Sequence, residues 1–156
     1  SDAFIKAWSP WFYEKMNDLN DRGKRQIVKV TYLYIIFILL FSIVVYIISL
    51  FLIPFMTSPE YHSATKYVFW IALAYSVQGI YKIFFPYLVH FSKTKYLAIT
   101  TFLAAIFSLI GNYFFIHQYG AVGVAYSTIL AFIISSISVF YIAMKQVKLP
   151  WFKFLR

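Results

Sequence analysis

Charge is the scarcest commodity in this chain. Only 12% of its 156 residues are charged, while 62% are hydrophobic and 23% aromatic. A soluble domain carries about a quarter of its residues as charges, so a water-facing skin over an ordinary globular core is excluded. Cysteine is absent, which removes disulfides and thiolate metal sites but leaves the redox compartment open. Acids number five (Asp2, Glu14, Asp18, Asp21 and Glu60), and none falls where a mid-membrane carboxylate is expected. The three histidines, His62, His90 and His117, belong to separate membrane edges, too scattered for a metal site or a catalytic relay. No nucleophile–base pair and no glycine-rich phosphate loop is present. The residues therefore predict no enzyme, no metal and no cofactor. The chain opens without Met or a signal-peptide n-region, and its first residues read as the end of a helix, as in a piece of a longer protein.

The longest absence is continuous. Tyr96–Met144, 49 residues, contain no Asp, Glu, Lys or Arg. As one helix at ~1.5 Å per residue they would reach ~73 Å, against a hydrocarbon core of ~30 Å. The run must fold back, and His117-Gln118-Tyr119-Gly120-Ala121-Val122-Gly123 supplies the fold point. It is read as a transmembrane helical hairpin with spans over 96–116 and 121–144.

The rest of the chain extends the pattern. Residues 1–16 read as the end of a span, with Trp8, Trp11 and Tyr13 at interfacial depth and Pro10 kinking or ending it. Asn17–Gln26 is a polar loop. A span over 28–55 follows, closed by Pro54 and Pro59, then a short loop, TSPEYHSAT, and a span over 66–91 interrupted by Lys82. Ser92–Lys95 is a tight basic turn, and 145–156 a basic, aromatic tail with Trp151, Phe152 and Phe154 that serves as a topology anchor. The expected fold is an all-α integral membrane bundle of four full spans plus the end of a fifth.

Alternating loops put Lys15, Arg22, Lys24, Arg25, Lys29, Lys93, Lys95, Lys145, Lys148, Lys153 and Arg156 on one side and only Lys66 on the other. Cytoplasmic loops collect Lys and Arg, so that side, with the C terminus, is expected to be cytoplasmic. A nucleic-acid surface would not sort its cations by alternate loops. The net charge of +9 is thus a topology signal.

Helices in lipid pack through small residues. Thr101, Ala104, Ala105, Ser108, Gly111 and Asn112 form such a stripe on one span, and Gly123, Ser127, Ala131, Ser135 and Ser138 on the next. The span from Val30 is bulky nearly all round, with Thr31, Ser42 and Ser49 as its only small polar positions, which places it at the periphery. On the third span Tyr75, Gln78, Gly79, Lys82, Pro86 and His90 share one helical face. Lys82 falls near mid-bilayer, where a cation costs roughly 2.5–3.5 kcal/mol on insertion scales. It must snorkel, pair with an acid outside this chain, or line a substrate cavity. Pro86 beside it would supply a bend. Lys6, one turn from Asp2, either pairs with it as an i,i+4 couple or joins Lys82. Asn112 is expected to hydrogen-bond a neighbouring helix.

The stretch GNYFFIHQYGAVGVAYSTI (Gly111–Ile129) resembles the penultimate hairpin of bacterial polysaccharide flippases, lipid-linked oligosaccharide exporters of the multidrug/oligosaccharidyl-lipid/polysaccharide superfamily. Asn112, Tyr119, Gly120, Gly123, Ala125 and Thr128 match the family pattern. His117-Gln118 stand where the family usually has Pro. AFIKAWSPWFYEKMND resembles the end of the eighth span and YKIFFPYLVHFSKTKYLA the tenth. The likeness implies most of the C-terminal lobe of a 12-span, two-lobe transporter in the bacterial plasma (inner) membrane, its N-terminal lobe lying outside this chain. It also implies translocation of an undecaprenyl-diphosphate-linked oligosaccharide, of O-antigen, lipopolysaccharide or capsule type, by alternating access. Lys82, Gln78, Lys6 and Asn112 become candidates for the cavity, and Pro86, Gly120 and Gly123 for hinge and packing positions. A multidrug exporter of the same superfamily and a membrane glycan polymerase or ligase are the alternatives.

Overall fold

The computed structural model describes residues 2–151. Ser1 and the tail residues Phe152, Lys153, Phe154, Leu155 and Arg156 lie outside them. The described chain is helical throughout, in the order α1 (Asp2–Asn17), α2 (Asp21–Met56), a 3-10 helix (Pro59–Ala64), α3 (Thr65–His90), α4 (Thr94–Tyr119) and α5 (Val122–Gln146). From α2 to α5, four helical segments are long and apolar enough to cross a membrane, as a multi-pass membrane protein requires.

Local chemistry lengthens the helices beyond their apolar cores. The loop expected over Asn17–Gln26 contracts to Asp18–Asn20, because the Asn20 side chain caps α2 by accepting from the Gly23 N–H at 2.7 Å. Asp21 in the first turn complements the helix dipole. The 36 residues of α2 would measure ~54 Å against a core of ~30 Å, so its basic first turns overhang the apolar layer. Pro10, expected to kink or end its helix, and Pro54, expected to close its span, both lie inside helices. A proline removes one helical hydrogen bond, and in α1 the burial of Trp8, Phe12 and Met16 holds the backbone helical through the gap. The hairpin turn is tighter than its polar sequence suggested. His117, Gln118 and Tyr119 stay in α4, and Gly120 turns the chain at φ +61°, a left-handed conformation that favours glycine.

The bundle is built around α3, which touches all four other helices. On one flank α2 runs antiparallel to it; on the other α5 runs parallel, and α4 packs on the far side of α5. Hydroxyl and indole donors to carbonyls of neighbouring helices tie the layers. Ser76 donates to the Ile38 carbonyl at 3.0 Å, Ser136 to that of Val77 at 3.1 Å, and Ser127 to that of Ser108 at 2.9 Å. The small-residue stripe of α5 is the contact face: Gly123, Ser127, Ala131 and Ser135 are buried. The stripe of α4 is only partly one. Ala104 is buried, but Thr101 and Ala105 are exposed. On α2, Thr31, Ser42 and Ser49 are buried and most large side chains are not, so α2 is peripheral.

Two tryptophans pack into the bundle. Trp8 is buried against α3 and donates from Nε1 to the Ile83 carbonyl at 3.1 Å. Trp151 is also buried, packing on Phe84 and Phe140 while its carbonyl accepts from the Tyr32 hydroxyl at 3.1 Å. Up to Trp151 the tail is therefore a lid over the basic end of the bundle, folded back because Val147, Leu149 and Trp151 find apolar cover there.

Candidate functional site

Past its first two turns, the exposed residues of α3 fall along one strip. Tyr75, Gln78, Lys82 and Phe85, at spacings of three and four, are exposed or half-buried, while Ala74, Ser76, Val77, Gly79, Ile83, Phe84 and Pro86 are buried. The polar face read from sequence thus divides. Gly79 turns toward α2, where Tyr34 and Ile38 lie against it. Pro86 is fully buried. Neither shares the open strip with Lys82, because a helical face spanning Gly79 to Pro86 curls around onto the packed side.

Lys82 has a partner within the chain. Its Nζ lies 2.6 Å from Asp2 Oδ1, so the acid expected outside the chain is found within it. The i,i+4 pair of Asp2 with Lys6 does not form. α1 runs alongside α3 at this level, so an ammonium reaching across reaches the carboxylate first. Lys6 is exposed and makes no ion pair among the described residues. The two members of the pair differ in cover: the Lys82 side chain is 30% exposed, that of Asp2 77%. Nearby, Trp8 holds α1 to the Ile83 carbonyl, one residue past the one whose in-helix donor Pro86 lacks.

On the other side of the strip are two adjoining clefts. The larger, of about 780 Å³, lies between the first halves of α3 and α5 and is lined by Tyr67, Ile71, Tyr75, Gln78, Val124 and Thr128, among others. The smaller, of about 280 Å³, lies among α3, α4 and α5 and is lined by Gln78, Tyr81, Thr101, Ser108, Thr128 and Ser135, among others. Gln78, Thr128 and Phe132 belong to both. Neither lining contains a charged side chain. Lys82 stands one turn beyond Gln78, outside both linings. Tyr81 closes the α4 side, its hydroxyl 3.2 Å from Thr101 Oγ1. The arrangement offers amides and hydroxyls over an apolar floor, with one ion pair at its edge.

The remaining candidates separate. Asn112 sits on α4 away from both clefts, and its Oδ1 is enclosed without a hydrogen-bond partner. Among the described residues the expected bond to a neighbouring helix does not form, because the adjacent Gly111, not Asn112, faces Ser127. Gly123 abuts the Phe115 backbone, as a packing position should. No group of three or more His, Cys, Asp or Glu side chains converges among the described residues. Sequence reading missed Asp2 as the partner of Lys82, since nothing local links residues 80 positions apart. It also missed Tyr81 and Phe132 as cleft walls, though the polar spacing of Gln78 with Tyr81 was a usable signal. No family model, no curated protein and no solved structure matches this chain.

Proposed function

We propose that this chain is the C-terminal part of a bacterial polysaccharide flippase, which translocates an undecaprenyl-diphosphate-linked oligosaccharide across the plasma membrane by alternating access. The supporting observation is the open strip of α3. It carries a cation, Lys82, beside hydrogen-bonding clefts without charge. A lipid diphosphate needs a cation at depth, and a glycan needs amide and hydroxyl partners over aromatic and apolar surface. In lipid, an intramembrane ion pair is costly and is kept for function. The likeness of Gly111–Ile129 to the flippase hairpin supports the same reading. The basic end of the bundle, with Arg22, Lys24, Arg25, Lys29, Lys93, Lys95, Lys145 and Lys148, then faces the cytoplasm, and a second lobe encloses the strip from the front.

The test is Lys82→Ala in the full-length protein. Glycan export should fall about tenfold or more, the scale of losing a charge-assisted hydrogen bond, with membrane insertion unchanged. Undiminished export would refute a role for Lys82 in transport. A multidrug exporter is the second reading, and the exposed Asp2 carboxylate favours it, since cationic drugs need an acid. Efflux of a cationic dye that Asp2→Asn abolishes would decide for it.

A further inference from the structure

We propose that Asp2 is an exchangeable counter-ion for Lys82, occupying the anion site until a phosphate-bearing headgroup displaces it. The proposal rests on the flippase reading of the same strip and adds how the site is kept neutral when empty. The pair is short, 2.6 Å, and lopsided: the ammonium is largely covered by the bundle and the carboxylate is largely open. Lys82 is rooted in the central helix between buried Ile83 and half-buried Tyr81. Asp2 lies in the first turn of α1. Among the described residues, its side chain makes no hydrogen bond other than that to Lys82. The carboxylate is therefore the member that can leave. An ammonium carries three donors, so a diphosphate oxygen entering from the strip can take over from Asp2 without Lys82 moving, while Gln78 one turn away offers an amide N–H. The empty site is thereby kept from holding an uncompensated charge in the apolar layer. Asp2 also makes anion binding a competition, which lowers the affinity for the headgroup and favours its release.

The test uses the full-length protein in nanodiscs of uncharged lipid, with farnesyl diphosphate and inorganic diphosphate as separate probes. Asp2→Asn should bind farnesyl diphosphate roughly tenfold more tightly than the natural chain, the scale of losing one competing charge. Lys82→Gln should lose binding, and the double variant should behave as Lys82→Gln. Inorganic diphosphate binding in parallel marks a site for the headgroup alone; binding of the farnesyl ester only marks one that needs the lipid chain, and either is compatible with exchange. Unchanged or weaker binding by Asp2→Asn, with Lys82→Gln still defective, overturns the exchange and leaves the flippase reading standing. Binding that Lys82→Gln does not alter overturns both. Should Asp2→Asn fail to fold, the charge swap Asp2→Lys/Lys82→Asp restores a pair. It should bind no better than Lys82→Gln, and natural affinity in the swap refutes the exchange.

Discussion

α2 and α3 are both long, apolar helices, yet they are used in opposite ways. The most apolar stretch of α2 is more hydrophobic than that of the segment containing α3, and only 11% of it is buried, against 28% of the latter. In a water-soluble protein the more apolar helix would go inside. Here the lipid is as apolar as leucine, so burial is decided by small residues and by hydroxyls that reach a neighbour's carbonyl. α3 has Gly79 and Ser76 for α2, and a Val77 carbonyl that accepts from α5. In α5, rich in serine and alanine, 33% of the most apolar stretch is buried. α4 breaks the rule. It is less apolar than α2 and carries Thr101, Ser108 and Asn112, yet it too is only 11% buried. The clefts beside Tyr81 and Thr128 open next to this sparsely covered helix.

The rule can be attacked most forcefully at Gly123. A Cβ there would meet the Phe115 carbonyl and the Ile116 nitrogen, backbone atoms that cannot rotate aside. Gly123→Ala should destabilise the α4–α5 hairpin by about 3 kcal/mol, the upper end of ordinary overpacking, read as a lowered unfolding midpoint in detergent. A variant as stable as the natural chain would mean that close backbone approach does not hold α4 in place. A smaller effect of opposite sign is expected at Asn112. Its Oδ1 is enclosed and unpartnered, so Asn112→Leu should be neutral or stabilising by about 1 kcal/mol. If it is destabilising instead, the amide has a partner outside this chain. Smaller still, Ser136→Ala should cost about 0.6 kcal/mol, the usual worth of one interhelical hydrogen bond in lipid.

The layout of spans was legible because charge-free runs and basic turns are one-dimensional signals. The hairpin fold at Gly120 and the α5 contact stripe from Gly123 to Ser135 could be read the same way, since glycine and serine spacing maps directly onto a helical face. What escaped the sequence was anything needing two helices at once. The partner of Lys82 is 80 residues away, and i,i+4 reasoning proposed Lys6 for Asp2 because it considers a single helix. Residue type suggested a depth for Trp8 but could not show that its indole holds α1 to a carbonyl of α3. Asn112 looked like a contact residue because it shares a stripe with Gly111, but only one of two adjacent residues can point at Ser127.

The gentlest perturbation separates lipid from water directly. Phe51 on α2 is 75% exposed and Tyr75 on α3 is 64% exposed, so by burial alone the two surfaces are alike. They differ in surroundings: Phe51 has apolar neighbours such as Leu50 and Leu52, while Tyr75 lines the larger cleft with Gln78 and Thr128. Because the sequence contains no cysteine, a single introduced one reports on its own position. Phe51→Cys and Tyr75→Cys should each change stability by less than about 0.5 kcal/mol, as expected of surface substitutions. A membrane-impermeant maleimide should label position 75 and leave 51 unmodified, since a thiol reacts as thiolate and only where water reaches it. Equal protection at both positions would make the strip of α3 one more lipid-facing surface, and the difference between α2 and α3 would then be a matter of packing alone.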